Sequence, residues 1–444
     1  MNLVFSMPRR YEFWNKEMEL KTRKELDDLQ NKRLHALVQY CYDKVPLYHK
    51  KFKENKLHPD DIKTKADIVK IPITKKQDLR DNYPFGMLAV PLTDIVRIHA
   101  SSGTTGKPTV VGYTAKDIAT WTELMARTIT APNVTKEDIV QNAYGYGLFT
   151  GGLGFHYGAE KIGATVIPIS GGNTDRQIMI MQDFKSTVLT CTPSYSLLIA
   201  EFMKNLNIDI DSLSLRIGIL GAEPWSEALR SKIEDALHIE AIDIYGLSEL
   251  CGPGVSVECP EKKGLHIWED HFIAEVINPN TSEQLTDGEQ GALVFTTLTK
   301  EGIPLLRYLT NDISVLNSEK CNCGRWHTRM QKVIGRSDDM LIIRGINVFP
   351  SEIEYQLMQI PGVSENYQII VDRDILDTLT IKVEPTQEAF SDKISVMETF
   401  KKSIEKHLQT ALQIHANVEL TVPGQIERST GKAKRVVDQR SKNV

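Results

Sequence analysis

A loop rich in glycine and hydroxyl side chains is the segment of this sequence best suited to chemistry. Residues 101–109 read Ser-Ser-Gly-Thr-Thr-Gly-Lys-Pro-Thr, between two predicted strands. Small residues free the backbone amides, hydroxyls add hydrogen-bond donors and Lys107 adds a positive charge, which together suit a phosphate chain. It is not a Walker loop, because Ser101 and Pro108 stand where that motif requires glycine and a hydroxyl residue. We predict a phosphate-binding loop, with a flexible surface turn as the alternative.

Cysteine and histidine residues on two segments of the chain are suited to binding one metal ion together. Two of the cysteines are one residue apart and precede a glycine, while another cysteine and a histidine flank a Pro-Glu-Lys-Lys-Gly turn. The predicted ligands are Cys259, His266, Cys321 and Cys323. Three thiolates and one imidazole are a usual set for Zn²⁺, so we predict a zinc site that stabilises the fold and takes no part in catalysis. His327 and Cys251 are alternative ligands, and free thiols without metal are the alternative state.

Further motifs follow the loop in chain order. They are Tyr245-Gly246-Leu247-Ser248-Glu249, Arg307 to Asp312, Gly335-Arg336-Ser337-Asp338-Asp339 and Gly431-Lys432. Together with residues 101–109 they resemble the phosphate-binding, Tyr-Gly-x-Ser/Thr-Glu, ribose-binding, hinge and lysine motifs of adenylate-forming enzymes. That superfamily contains acyl-CoA synthetases, luciferases and the adenylation domains of peptide synthetases. Because all the motifs occur in the superfamily's order, the chain is identified as a member of it.

A closer resemblance is to the phenylacetate–CoA ligases. The segments that carry it are residues 144–152, 221–225, 264–272 and 338–350. The resemblance implies that ATP activates an aryl acid, phenylacetate foremost, as an acyl-adenylate, and that the acyl group passes to coenzyme A with release of AMP and pyrophosphate. One alternative is adenylation of another small acid with a different thiol acceptor. The other is a catalytically silent nucleotide- or acyl-binding protein, which would be expected to lack Lys432, Glu249 or the loop.

The resemblance also implies chemical roles for individual residues. Lys432 would bridge the acid carboxylate and the α-phosphate, Glu249 would hold Mg²⁺ on the phosphates, and Lys107 would bind the phosphate chain. A lysine of a basic tail and a helix-terminal glutamate are the structural alternatives for the first two. Asp338 would be the hinge between the domains. The residues expected to bind the nucleotide are Ser101, Ser102, Gly103, Thr104, Thr105, Gly106, Ala222, Glu223, Pro224, Asp243, Ile244, Tyr245, Gly246, Leu247, Ser248, Asp312 and Arg336.

The expected acid pocket is a group of aromatic residues interleaved with glycines. Its candidates are Tyr144, Tyr146, Phe149 and Gly151. Aromatic rings suit a flat arene, and packing in the core is the alternative for each of them. The ribose segment departs from the subfamily pattern, because Leu309 and Asn311 stand where arginines are expected. Asp312 is nevertheless in place to accept hydrogen bonds from the ribose hydroxyls.

Alternating strands and helices must position these motifs. Residues 165–245 read as strands and helices in strict alternation, which indicates a mostly parallel sheet covered by helices. Ligands bind such sheets beyond the C-terminal ends of the strands, and Gly221 and Gly246 each follow a predicted strand. Residues 272–298 read as β structure with a turn at Asp287-Gly288.

A smaller unit is predicted near the C-terminus. Pro350 and Ser351-x-x-Glu354 predict a helix start with a capping box. The elements predicted beyond it are a helix at 351–360, strands at 365–372 and 378–384, a helix at 391–411, a strand at 416–422 and a loop-like tail from 424. The predicted fold is α/β: a large N-terminal domain (1–337) with a mostly parallel, helix-covered sheet and a β subdomain, plus a small, mobile α+β C-terminal domain (338–444) that carries the catalytic lysine.

The composition is that of a globular enzyme. Of 444 residues, 41% are hydrophobic and 25% are charged, and the net charge of −5 gives no basic field that would indicate nucleic acid. No apolar run reaches the ~20 residues of a membrane span, and the N-terminus lacks the apolar stretch of a secretory signal. We expect a cytoplasmic protein whose partners are an aryl acid, ATP and coenzyme A. A homodimer is expected from the resemblance and from the general frequency of dimers.

Overall fold

The computed structural model describes most of the chain. The described residues are 10–101, 108–337, 339, 341–343, 346–373, 377–412, 415–429, 431 and 433–440. The predictions for Ser102, Gly103, Thr104, Thr105, Gly106, Lys107, Asp338 and Lys432 lie outside the described residues. Within the described part of the chain, each helix is too short or too polar to cross a bilayer.

The α-helices of the described residues are numbered in chain order. They are α1 (Lys16–Glu19), α2 (Arg23–Lys44), α3 (Pro46–Glu54), α4 (Lys76–Asp81), α5 (Ala115–Thr130), α6 (Gly151–Ile162), α7 (Thr174–Asp183), α8 (Pro193–Asn205), α9 (Glu227–Leu237), α10 (Pro350–Met358) and α11 (Ile394–Leu412). Local sequence sets their starts: Thr22 and Glu25 form a capping box at α2, and Thr192 caps α8 ahead of Pro193.

The strands are numbered in the same way. They are β1 (Ile95–Ala100), β2 (Val110–Thr114), β3 (Ile139–Asn142), β4 (Thr165–Ile167), β5 (Val188–Cys191), β6 (Ile217–Gly221), β7 (Glu240–Leu247), β8 (Gly252–Glu258), β9 (Leu265–Ile267), β10 (Phe272–Ile277), β11 (Gln290–Thr297), β12 (Tyr308–Asn317), β13 (Arg329–Met330), β14 (Gly335–Arg336), β15 (Leu341–Ile343), β16 (Ile346–Val348), β17 (Val363–Arg373), β18 (Asp377–Pro385), β19 (Asn417–Leu420) and β20 (Val436–Asp438).

One large sheet carries the N-terminal part of the chain, here called the large unit. Strands β4, β3, β5, β6 and β7 are neighbours in that order and parallel, as the alternating pattern predicts. From β7 the sheet continues through antiparallel pairings to β8, β9, β13, β12, β11 and β10, and β14 pairs with β12. Every residue of β5 and β6 is buried, as expected for parallel strands covered on both faces. The α/β fold class is confirmed.

Two positions near the ends of β6 and β7 require glycine. Gly221 and Gly246 were predicted to follow strands, but Gly221 is the last residue of β6 and Gly246 the last but one of β7. A Cβ at Gly221 would stand 2.3 Å from the Ile244 carbonyl oxygen, and one at Gly246 would stand 2.0 Å from the Gly252 carbonyl oxygen. Their lack of a side chain is therefore required by the neighbouring strand's backbone.

The C-terminal elements form a second sheet with its own core, here called the small unit. Its strand order is β19-β18-β17-β20, and α10 and α11 pack against each other. The buried core includes Ile353, Leu357, Ile369, Ile381 and Leu408. The predicted element order is confirmed up to β19, but the tail was wrongly predicted as loop, because β20 adds a parallel strand to β17.

The predicted capping box at Ser351 and Glu354 is wrong. Helix α10 begins at Pro350, and it is Glu352 that accepts a hydrogen bond from the Phe349 amide, at 3.1 Å. Glu354 is buried and accepts the Tyr367 hydroxyl at 2.8 Å and the Ser226 amide at 3.4 Å. Its side chain therefore joins α10 to the core of the small unit and to the large unit.

Candidate nucleotide site and metal centre

A cavity of ≈ 110 Å³ opens where the parallel strands end. The predicted nucleotide residues that line it are Ala222, Glu223, Pro224, Asp243, Ile244, Tyr245, Gly246, Leu247, Asp312 and Arg336. The lining residues that the sequence did not indicate are Trp225, Leu265, Met330, Lys332 and Val333. The segment after β6 and residues of β7, β12 and β14 thus meet at the C-terminal edge of the parallel strands, where ligands of α/β sheets bind.

Asp312 is the centre of a hydrogen-bond network on one wall of this cavity. The Tyr245 hydroxyl donates to Asp312 Oδ2 at 2.7 Å, and Arg336 Nη1 donates to Oδ1 at 3.1 Å. Pairing of β12 with β14 places Asp312 opposite Arg336. The departures from the subfamily pattern at Leu309 and Asn311 leave the contacts of Asp312 with Tyr245 and Arg336 intact.

Asp243 is a second carboxyl of the same cavity, and its surroundings differ from those of Asp312. It is buried, and burial together with the nearby Glu258 carboxylate raises the pKa of Asp243 to about 7. Glu258 is held by Arg230, whose Nη2 donates to both of its oxygens at 2.8 Å. The cavity therefore contains one carboxyl that changes charge near neutral pH.

Ala222 enters the cavity with a strained backbone. Its φ of 72° lies in the left-handed region that side chains other than glycine rarely adopt. Such strain persists where the surrounding structure holds it, often at ligand sites. The conformation turns the chain sharply between β6 and the Glu223-Pro224 segment.

Glu249 lies in a tight turn between β7 and β8, which excludes the helix-terminal alternative. Its side chain is buried, with Lys76 Nζ of α4 3.4 Å from Oε1. Its backbone carbonyl accepts a hydrogen bond from the buried Lys300 Nζ at 2.8 Å. The adjacent Ser248 has its hydroxyl 3.2 Å from Thr150 Oγ1. The Glu249 carboxylate is thus buried in a tight turn and paired with Lys76.

The base of the glycine-rich loop is a hairpin of β1 and β2. The Ser101 amide donates to the Thr109 carbonyl at 3.0 Å, which closes the hairpin at the start of the loop. The hydroxyls of Ser101 and Thr109 are buried and have no hydrogen-bond partner among the described residues. Both hydroxyls are therefore free, within the described ranges, to donate hydrogen bonds.

The four candidates for the acid pocket have different surroundings. Tyr144 is buried, stacks on Phe155 at 5.2 Å and donates to the Cys191 carbonyl at 2.6 Å. Tyr146 is half-buried, with its hydroxyl bonded by Asn142 at 2.7 Å, while Phe149 is exposed. Gly151 begins α6. None of the four lines the nucleotide cavity, although Tyr144 lies near Glu223 and Asp243, which do.

A larger cleft of ≈ 430 Å³ lies between the large and small units. Glu223, Pro224 and Arg336 line both this cleft and the nucleotide cavity. Glu223 joins the two units, because it accepts the Ser194 amide at 2.7 Å and the Ala433 amide at 3.1 Å. The C-terminal tail is thereby fastened beside the nucleotide site.

The predicted metal ligands come together in a buried cluster. The ligand atoms of Cys259, His266, Cys321 and Cys323 all lie within 4.8 Å of one another. The Cys259 and Cys321 sulfurs are 3.8 Å apart, and Cys323 Sγ is 3.4 Å from His266 Nε2. Two sulfurs bound to one tetrahedral zinc lie about 3.8 Å apart, so the geometry fits a Cys₃His metal site.

Neither alternative ligand joins this cluster. The ring of His327 contacts the Ile267 and Met18 carbonyls, at 3.0 and 3.2 Å. Its carbonyl lies 3.4 Å from His266 Nδ1, which leaves His266 Nε2 facing the cysteines. Cys251 is buried near Lys300 instead.

Comparisons with known proteins identify the family. The AMP-binding enzyme family matches residues 20–298, and the AMP-binding enzyme C-terminal domain matches residues 345–440. Phenylacetate-coenzyme A ligase of Aromatoleum evansii is 51% identical, covering 96% of this chain and 97% of that protein. The ligase of the same name from Thermus thermophilus is 48% identical, covering 96% and 99%. The chain belongs to the phenylacetate–CoA ligase family. As a ligase of this family, it activates an acid with ATP and forms a coenzyme A thioester with release of AMP.

Solved structures of a related enzyme indicate which arrangement of units this ligase adopts. A 2-hydroxyisobutyryl-CoA ligase in the post-adenylation state with 2-HIB-AMP is 28% identical and has a TM-score of 0.92, covering 99% of this chain and 95% of that one. The same enzyme in the thioesterification state, with 2-HIB-AMP and CoA, has equal identity and coverage but a TM-score of 0.72. The units of this ligase are therefore arranged as in the post-adenylation complex.

Sequence reasoning missed two lysines of this ligase that contact Glu249 and one beside Trp225. Lys76 and Lys300 lie far from Glu249 in sequence, on α4 and after β11, so no local pattern relates them to it. Lys332 lies 3.9 Å from the centre of the Trp225 ring. Only its position shortly before the Gly335–Asp339 motif distinguishes it in the sequence.

Proposed function

We propose that this ligase acts on an arylacetic acid, with phenylacetate as the preferred substrate. The observation that carries the proposal is its relationship to phenylacetate-coenzyme A ligases over nearly the full length of both chains. The nucleotide cavity and the aromatic segment beside it support the same assignment.

We propose that the nucleotide lies in the 110 Å³ cavity with its ribose on Asp312. The two carboxylate oxygens would accept the ribose hydroxyls while Tyr245 and Arg336 hold them in place. Adenine would pack against Ala222–Pro224 and the end of β7. Ser101 and the loop that follows it, including Lys107, would bind the phosphate chain through amides and hydroxyls.

Glu249 would hold Mg²⁺, which neutralises charge on the phosphate oxygens. Its buried carboxylate is fixed by the turn after β7 and is paired with Lys76 at 3.4 Å. Ion binding would place a stronger positive charge beside that carboxylate. Lys76 would then be released towards the phosphates, to which an ammonium group is also attracted.

The acid would lie on the segment from Tyr144 to Gly151. Tyr144 forms a fixed wall, because its ring is stacked and its hydroxyl is bonded to the backbone. Tyr146 and Phe149 are less buried and would contact the arene directly. The acid carboxylate would meet Lys432, which neutralises charge between that carboxylate and the α-phosphate as adenylation proceeds.

The domains would divide at 337/338, with Asp338 as the hinge. The small unit would rotate after adenylation to bring coenzyme A to the acyl-adenylate, as hinged units commonly do around ligands. The cleft between the units provides the space for this exchange.

The metal of the Cys₃His cluster would be zinc with a structural role. The four ligands fit a closed tetrahedral site, which leaves no position for a substrate. The six cysteines form no disulfide with one another, which fits a reducing compartment such as the cytoplasm. A homodimer remains part of the proposal, on the general frequency of such assemblies.

A panel of acids tests the substrate assignment. Phenylacetate, 4-hydroxyphenylacetate, indoleacetate, benzoate and hexanoate are compared by kcat/KM for thioester formation. We expect phenylacetate to lead, with benzoate weaker by about 10-fold or more, since one methylene contributes about 1–3 kcal/mol. A preference for hexanoate would contradict the aryl pocket, and AMP release without any thioester would contradict coenzyme A as the acceptor.

A further inference from the structure

An ion cluster joins helix α8 of the large unit to the tail of the small unit. Arg428 Nε and Nη2 donate to the Glu201 carboxylate at 3.0 and 3.1 Å. Its Nη1 and Nη2 donate to the Glu384 carboxylate at 3.0 and 2.7 Å. We call Glu201, Glu384 and Arg428 the Arg428 cluster. One guanidinium thus holds two carboxylates that belong to different units.

The two carboxylates of the cluster have different relationships to Arg428. Glu384 lies on β18 of the small unit, is 3% exposed, and also accepts the Ile426 amide at 3.2 Å. Glu384 therefore moves together with Arg428 whenever the small unit moves. Glu201 lies on α8 of the large unit and is 36% exposed. Rotation of the small unit would break only the contact to Glu201.

The chain on either side of Lys432 is also attached to the large unit. The Thr192 hydroxyl, which caps α8, donates to the Gly431 carbonyl at 3.1 Å. On the other side, the Ala433 amide donates to Glu223 at 3.1 Å. Helix α8 therefore holds the tail at Arg428 and at Gly431, just before the lysine.

We propose that Glu201 is a positioning residue for the adenylation half-reaction. Its carboxylate holds Arg428, and with it the segment that carries Lys432, against the large unit in the adenylation arrangement only. The inference rests on the proposed role of Lys432 and on the proposed rotation of the small unit. The closer match of the whole chain to a post-adenylation complex than to a thioesterification complex supports it.

The consequence is a residue that acts on one half-reaction and spares the other. Loss of the Glu201 carboxylate leaves the Arg428–Glu384 pair and both cores intact, so the fold is retained. The adenylation arrangement becomes less populated. The rate of adenylation therefore falls by about 3- to 10-fold, which is the effect expected from losing a partly exposed but bidentate ion pair. The thioesterification arrangement, which does not use this contact, is not disfavoured.

The experiment compares the full-length wild type with Glu201→Gln in separate half-reactions. Adenylation is followed as phenylacetate-dependent exchange of pyrophosphate into ATP, and thioesterification as conversion of supplied phenylacetyl-AMP with coenzyme A. We expect the first rate to fall by about 3- to 10-fold and the second to stay the same or rise. Glu201→Lys should lower adenylation further, because it repels Arg428. At high salt the wild-type advantage should shrink.

Glu388→Gln is the matched control. Lys204 of α8 and Glu388 of the small unit form another ion pair between the units, at 3.7 Å, but their side chains are 80% and 74% exposed. The same chemical change should leave both half-reactions unaltered there. Equal losses in both half-reactions of Glu201→Gln, no loss in either, or the same loss in Glu388→Gln would overturn the inference. The wild-type rates alone report on the proposed function, so the two failures are distinguishable.

Discussion

Asp243, Glu258 and Arg230 form a buried charged group beside the nucleotide cavity. Arg230 donates two hydrogen bonds of 2.8 Å to Glu258, and the pull of Lys332 and Arg230 on Asp243 is weaker than the opposing effects of burial and the Glu258 carboxylate. Burial and the Glu258 carboxylate therefore raise the pKa of Asp243 to about 7. A carboxyl whose folded-state pKa is raised favours folding while it is protonated. That contribution is complete below the ordinary pKa and is lost as the pH rises through about 7.

Asp243→Asn should remove this dependence. The amide imitates the protonated acid, so the variant should be more stable than the wild type by on the order of 3 kcal/mol at pH 8. The difference should vanish near pH 4. Thermal melting of both proteins between pH 4 and 8 measures it, and a constant difference across that range would contradict the assignment.

Lys300 holds the backbone of the turn that carries Glu249. Its ammonium group is buried, which lowers the pKa of Lys300 to about 8, and it donates to the Glu249 carbonyl at 2.8 Å. Burial of a charge costs stability below that pKa, and this cost disappears as the pH rises above it. The hydrogen bond orients the turn that carries a proposed Mg²⁺ ligand.

Lys300→Met tests that role, because it keeps the size of the side chain and removes the charge. We expect equal or higher melting temperature at pH 7, since a buried charge is removed. Adenylation should fall by about 10-fold, with a higher Mg²⁺ requirement, because the Glu249 turn loses its hydrogen bond. Magnesium titrations of the initial rate measure this. Unchanged kinetics, or a loss explained by unfolding, would contradict it.

At the scale of secondary-structure elements, local sequence predicted the strands and helices well. The alternation from 165 to 245 was confirmed because each element has its own hydrophobic period and a capping or turn residue. Local sequence did not predict β20, because Val436–Asp438 is too short and polar to be recognised without its pairing to β17. Local sequence also gave the wrong role for Glu354, because its partner Tyr367 lies on another element.

The Cys₃His cluster connects several elements. Cys259 follows β8, His266 lies on β9, and Cys321 and Cys323 lie in the turn after β12. Arg325 beside them forms a fully buried ion pair with Glu19 of α1, at 2.5 Å. The spacing of the ligands in the sequence indicated the cluster, whereas the connection to α1 required the fold.

Removal of the metal should therefore destabilise the protein more than it slows the reaction. Purified protein should contain one zinc per chain by elemental analysis. Cys323→Ser, or a strong chelator applied to the wild type, should lower the melting temperature by about 5 °C or more, with kcat within about 2-fold at 20 °C. Absence of bound metal, or loss of kcat without loss of stability, would contradict a structural zinc site.

At the scale of the whole molecule, the arrangement of the two units was beyond the reach of sequence. The motifs indicated candidate nucleotide residues, ten of which line one cavity. Contacts such as Glu223 with Ala433 and Glu201 with Arg428 depend on how the units meet, which leaves no periodic signal in either segment. The structure therefore adds an arrangement of the units that resembles the post-adenylation complex of the related enzyme.

The most direct test of the account is thioester formation by the wild type and by Lys432→Ala. Both are given ATP, Mg²⁺, coenzyme A and phenylacetate, and AMP and phenylacetyl-CoA are quantified. We predict equal amounts of the two products from the wild type and a loss of about 100-fold or more in the variant. The variant should still convert supplied phenylacetyl-AMP to the thioester. AMP formation that is independent of the acid, or a fully active variant, would contradict the account.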